Sequence, residues 1–139
     1  TRLGAKVVLV APTAFLPSSL DGWGVSTADS LDDVIGVVDV VYMLRIQRER
    51  MDLAQMPSLR EYSSLFALTP ERAARMQSHA LLLHPGPINR GVEMIVDPSV
   101  VPGSRILQQV TNGISVRMAV LFSLLGGDAT TTLQNGVEA

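Results

Sequence analysis

The sequence predicts an α/β domain, a Rossmann-like parallel sheet with flanking helices, and three observations carry that reading. Apolar, β-branched runs stand at Lys6 to Pro12 (KVVLVAP), Asp39 to Leu44 (DVVYML) and Ala80 to His84 (ALLLH). Each run is continuous rather than alternating, the pattern of a strand buried on both faces. Helical signals separate the runs, so they form βαβ units with right-handed crossovers.

Taken in order, Thr1 to Ala5 reads as the end of a helix with its glycine stop, entered from a segment upstream. The expectation is a piece of a longer protein. The first strand closes at Pro12, and a Pro/Ser/Gly-rich loop runs on to Gly24. Ser30 is an N-cap, with Asp32 and Asp33 in the first turn where the helix dipole favours acids, and this short helix ends near Gly36. After the second strand comes a polar segment, Arg45 to Tyr62, and then a helix opened by Thr69-Pro70-Glu71: a cap, a proline at the first position and an acid in the first turn. The third strand stops at Pro85. A last helix, from about Thr111 to Leu125, has Arg117 as its one charge. So apolar a helix needs cover on most sides, and a neighbouring domain is expected to supply it. Residues 1–127 are read as one domain and residues 128–139 as a polar, disordered tail.

Composition narrows the function. The chain has 139 residues and 47% hydrophobic content, enough for a core of its own. Its net charge of -2 and pI of about 5.6 leave no basic field for phosphate backbones or anionic lipid, so nucleic acid and membrane are not expected partners. Lys6 is the single lysine among 11 basic residues, the rest being arginine, a bias that a GC-rich genome produces as readily as carboxylate recognition does. With no cysteine there is no disulfide, thiolate metal site or cysteine nucleophile, and a reducing cytoplasm is the simplest compartment. The only histidines are His79 and His84, too few for a histidine-rich metal centre. The most apolar stretch, Met118 to Leu125, is too short to cross a bilayer.

In parallel α/β sheets ligands sit at the carboxyl ends of strands. The second strand is followed there by Leu44-Arg45-Ile46-Gln47-Arg48-Glu49-Arg50-Met51. Arginine offers a planar fork of donors that matches a carboxylate, and glutamine adds an amide beside it. The cluster suits a small anion; it equally describes a solvated turn with an ordinary Arg45–Glu49 pair. The third strand is followed by His84-Pro85-Gly86-Pro87-Ile88-Asn89-Arg90-Gly91-Val92-Glu93. Two prolines around a glycine continue neither strand nor helix, and leave carbonyls without ladder partners that could accept from ammonium or amide groups. Gly86-Pro87 is a candidate cis peptide. A stiff loop around a core histidine fits the same residues. Neither segment is a phosphate cradle, and no Ser, His and Asp are spaced as a nucleophile elbow. The residues thus offer a place to hold a small polar molecule and no group to break a bond.

Together the two segments resemble the aspartate carbamoyltransferases, whose aspartate domain carries Leu-Arg-x-Gln-x-Glu-Arg after one strand and His-Pro-x-Pro after the next. Here these stand in order as Leu44 to Arg50 and His84 to Pro87, and Gln109 to Met118 is similar to that family's last helix. The likeness spans nearly the whole chain up to Gly127. The resemblance implies one half of a two-domain carbamoyltransferase. Arg45 and Gln47 would bind the carboxylates of aspartate, and Glu49 would hold Arg45 in place. The backbone at Pro85 and Gly86 would accept from the amino and carbamoyl nitrogens, supported by His84 and Pro87, with Gly86-Pro87 cis. The ornithine-specific relatives carry a Cys in the His-x-x-Pro loop and a Ser-Met-Gly loop; this chain has neither, which favours aspartate.

The family's Ser-x-Arg-Thr-Arg phosphate loop, a carbonyl-polarising His, and an Arg at the start of the aspartate domain that grips a substrate carboxylate would all lie upstream of this stretch, whose N-terminal partner domain is missing. A partner subunit of a homotrimer would complete the site. The resemblance therefore implies no catalytic residue in this stretch, no activity from it alone, and no metal or organic cofactor. Its partners would be L-aspartate and carbamoyl phosphate, in the cytoplasm, in pyrimidine biosynthesis. Residue chemistry by itself leaves open a free-standing α/β module for small dicarboxylates, or a purely structural domain.

Overall fold

The structure, a computed structural model, describes residues 1–47 and 58–126. Strand β1, Val7–Val10, pairs in parallel with β2, Val25–Ala28, in the register Val7 to Val25 through Val10 to Ala28. Strand β3, Val40–Tyr42, pairs in parallel with β4, Leu81–Leu83, in the register Val40 to Leu81 through Tyr42 to Leu83. The parallel α/β arrangement is as the sequence predicts. The described strands nevertheless form two separate pairs instead of one continuous sheet. β2 lies beyond the predicted loop; its Val-Ser-Thr-Ala lacks a continuous apolar run because its two central residues are exposed.

β4 is flanked on its other side by the segment around Ser104. Leu82 donates its N–H to the Gly103 carbonyl and accepts at its own carbonyl from Arg105, both at 2.9 Å. This contact is close: a Cβ on Gly103 would lie 2.0 Å from the Ala80 carbonyl oxygen.

The helices follow their caps. Ser30 accepts from the Asp32 N–H while the Asp33 carboxylate accepts from the Ser30 N–H, a complete capping box. The box opens only a 3-10 turn, Leu31–Asp33, rather than the predicted helix, since the β-branched Val37 and Val38 after Gly36 lead into β3. Helix α1, Leu59–Phe66, lies partly within the segment read as polar. It is opened by a second capping box, Ser58 with Glu61. Helix α2, Pro70–Ala74, begins at the predicted cap, with Thr69 accepting from the Arg72 N–H. Helix α3, Ile106–Leu124, starts earlier than predicted.

The main core joins Leu31, Ile35, Val41, Met43, Leu68, Leu82, Met94 and Val96, and a smaller cluster joins Ile46, Tyr62 and Phe66. Arg72, only 6% exposed, staples the helical side together. Its guanidinium donates to the Ala67 and Ser64 carbonyls at 2.6 and 2.7 Å and to the Asp32 carboxylate at 2.6 Å. Hydrogen bonding from Arg72, with further help from Arg75, holds the Asp32 carboxyl below the usual carboxylate range.

The chain divides into two compact units, Thr1–Ile106 and Leu107–Ala139. The first holds all four described strands. The described part of the second is the remainder of α3, on which Ile114, Met118, Leu121 and Phe122 are exposed. Among the described residues no helix is long and apolar enough to cross a membrane. The segment predicted as a disordered tail lies outside the described residues.

Candidate functional site

Because β3 and β4 are parallel neighbours, the segments that leave their carboxyl ends emerge on one edge. The ladder runs one step past β3, with the Met43 N–H donating to the Leu83 carbonyl at 2.9 Å. Beyond it Ile46 is buried and anchors the segment, Arg45 is half-buried, and Gln47 is exposed. The Asn89 side-chain amide then donates to the Ile46 carbonyl at 3.1 Å and ties the two segments together. Glu49, expected to hold Arg45, lies outside the described residues.

The segment after β4 is built around two wholly buried polar side chains. His84 Nε2 lies 3.3 Å from Glu93 Oε1, with neither side chain exposed. The Gly86 N–H donates to His84 Nδ1 at 2.9 Å, and the Asn89 N–H donates to Glu93 Oε1 at 2.6 Å. The Gly86-Pro87 peptide is cis, as expected, and Gly86 has φ of +69°, a left-handed value that favours glycine. A Cβ there would meet nothing within 4 Å, so backbone conformation and not crowding calls for the glycine. The Leu68 N–H donates to the Glu93 carbonyl, which fixes the far end of the bend on the loop between α1 and α2. Burial, helped by the negative charge of Glu93, pushes the Tyr62 hydroxyl up to about 12.

One edge therefore carries the Arg45–Gln47 segment beside a proline-rich bend held from beneath by His84 and Glu93. Arginine and glutamine donors beside loop carbonyls are residue types that suit a small molecule with carboxylate and N–H groups. Among the described residues no group of His, Asp and Glu could hold a metal ion.

The family model for the aspartate/ornithine carbamoyltransferase Asp/Orn-binding domain matches residues 1–124. The chain belongs to this family. Similar relatives include the aspartate carbamoyltransferase catalytic subunits of Parafrankia sp. and Thermobifida fusca. Each is 50% identical over 127 residues, covering 91% of this chain and 41% of the relative. Among solved structures, aspartate transcarbamoylase of Trypanosoma cruzi in complex with carbamoyl aspartate and phosphate is 26% identical. It superposes with a TM-score of 0.69 over 84% of this chain and 40% of that one. The chain thus spans about two fifths of the length of the relatives it matches.

Within this Asp/Orn-binding domain the structure brings the segment of Arg45 and Gln47 and the segment of His84, Pro85, Gly86 and Pro87 to one edge. Sequence reasoning gave no role to Asn89 or Glu93. The signal for Glu93 was present: it is an acid inside Val92-Glu93-Met94-Ile95-Val96, and an acid in an apolar run is buried only with a partner.

Proposed function

We propose that this chain is the aspartate-holding domain, residues 1–127, of an aspartate carbamoyltransferase. In the whole enzyme the amine nitrogen of L-aspartate attacks the carbonyl carbon of carbamoyl phosphate. A tetrahedral intermediate forms, the bond from that carbon to the phosphate oxygen breaks, and inorganic phosphate leaves with N-carbamoyl-L-aspartate as the other product. The amine gives up its proton in the process. Family membership supports this reading over a free-standing dicarboxylate module. The single observation that carries it here is the tie between Asn89 and Ile46, which keeps the two motif-bearing segments side by side.

In this reading Arg45 and Gln47 hold the carboxylates of aspartate and Glu49 braces Arg45. The Pro85 and Gly86 carbonyls accept from the amino and carbamoyl nitrogens, with His84 and Pro87 supporting them. The domain contributes orientation and charge screening, which together supply much of the rate of a reaction between two anions. The phosphate-binding groups belong to an N-terminal domain, and closure of the two domains brings the amine within attacking range. A cytoplasmic homotrimer serving pyrimidine biosynthesis, without metal or organic cofactor, completes the proposal.

Arg45→Ala in the full-length enzyme tests it. Loss of a charge-assisted clamp raises the aspartate KM and lowers kcat, together on the order of tenfold or more. Steady-state kinetics with unchanged aspartate parameters would refute the assignment.

A further inference from the structure

We infer that Glu93, acting through the ring of His84, sets the direction of the Pro85 carbonyl and is a positioning residue for the substrate-holding bend. The inference rests on the aspartate-site reading above. Both side chains are 0% exposed, so neither can trade its hydrogen bond for one to water. His84 Nδ1 accepts the Gly86 N–H at 2.9 Å. A ring nitrogen that accepts carries no proton, so the neutral ring has its proton on Nε2. That nitrogen faces Glu93 Oε1 at 3.3 Å, and the carboxylate thereby holds the ring in the one tautomer that leaves Nδ1 free to accept. The Asn89 N–H, at 2.6 Å from the same oxygen, fixes the carboxylate in turn.

Peptide planarity carries this arrangement to the surface. The Pro85 carbonyl and the Gly86 N–H belong to one trans peptide unit, in which the two groups point in opposite directions. With the N–H aimed at the buried imidazole, the carbonyl is aimed away from it, on the side of the exposed Pro85. Without Glu93 the Nε2 proton loses the carboxylate that favours it, and a proton on Nδ1 would oppose the Gly86 N–H. The peptide then loses the bond that aims its N–H inward. A histidine that merely fills the core would affect stability and leave aspartate handling alone.

The test is made in the full-length enzyme containing this chain, assayed with carbamoyl phosphate and L-aspartate. Glu93→Gln keeps an oxygen that accepts from both the ring and the Asn89 N–H, whereas Glu93→Leu keeps the bulk and removes the acceptor. His84→Asn places an amide oxygen near Nδ1, within reach of the Gly86 N–H; His84→Gln places one near Nε2 instead. The expected result is a loss of aspartate kcat/KM on the order of 100-fold for Glu93→Leu, less than about tenfold for Glu93→Gln, and greater retention in His84→Asn than in His84→Gln. A folded Glu93→Leu enzyme with unaltered aspartate kcat/KM overturns the inference. If that variant does not fold, the histidine pair decides: equal kinetics in His84→Asn and His84→Gln overturn it. So does a nitrogen NMR spectrum of the unsubstituted enzyme that puts the His84 proton on Nδ1. Arg45→Ala separates the two levels: if it alters aspartate kinetics while Glu93→Leu does not, only this inference falls, and if it does not, the aspartate-site reading falls.

Discussion

The Asn89 side-chain amide donates to the Ile46 carbonyl across 3.1 Å, joining the segment after β3 to the bend after β4. Asn89→Ala leaves that carbonyl without its donor while sparing the Asn89 backbone N–H that serves Glu93. A hydrogen bond of this kind is worth about 1 kcal/mol, so the aspartate KM of the full-length enzyme rises about fivefold. Steady-state kinetics beside a thermal melt check this. A lowered melting point with an unchanged KM would reduce the contact to scaffolding.

Gly103 faces β4 too closely for any side chain. With a Cβ placed 2.0 Å from the Ala80 carbonyl oxygen, Gly103→Ala must push the 103–105 segment off β4 and break both of its hydrogen bonds to Leu82. The expected cost is about 3 kcal/mol or more. Gly36→Ala is the control, since its Cβ would come only to 3.7 Å from the Arg75 carbonyl oxygen. Denaturant unfolding of the two variants tests the contrast, and equal midpoints would contradict it.

Arg72→Met strips one buried donor from the Ala67 and Ser64 carbonyls and the Asp32 carboxylate together. Breaking a buried ionic contact of this sort costs about 3 kcal/mol. Arg75→Met, at the exposed end of the same cluster, costs less than about 1 kcal/mol. The acid limb should also change. Asp32 has a lowered folded value, so its contribution is present above the ordinary value of 3.8 and is lost as pH falls through the depressed one. Asp32→Asn therefore flattens the dependence of stability on pH below about 4, as read from unfolding curves at a series of pH values.

Tyr62 governs the alkaline limb. Burial first, and the charge of Glu93 second, raise its hydroxyl from 10.0 to about 12, so the folded chain keeps a proton that the unfolded chain gives up. The contribution is intact below pH 10.0 and is lost as pH rises toward about 12. Tyr62→Phe removes this slope. Stability measured across that window distinguishes the two chains, and parallel curves would show that the hydroxyl does not matter.

Much of this fold was legible because the strongest signals were local. The apolar runs at Val7, Val40 and Leu81 and the cap at Thr69 need no knowledge of distant residues, and the structure has a strand or helix at each. β2 was hidden because Ser26 and Thr27 face outward, leaving no run to see. Ser58 and Glu61 carry a helix-start signal of equal quality to that at Thr69, but the charged residues before them masked it as an extension of the polar loop. At the candidate site, residue types and strand-end position pointed to Arg45, Gln47 and the His84 to Pro87 bend. The partners beneath them were harder to find. That His84 and Glu93 meet depends on how the intervening residues turn back, and turns of that length leave no periodic trace in the sequence.

The pairing of His84 with Glu93 also bears on how this domain can change over generations. Replacing the histidine with an apolar residue takes the ring away from a buried carboxylate, and replacing the glutamate takes from the buried imidazole the acceptor that faces its Nε2. Each single step is a loss, so a lineage that abandons one member has reason to abandon the other. The two positions are therefore coupled in energy, although the chain separates them by a whole bend.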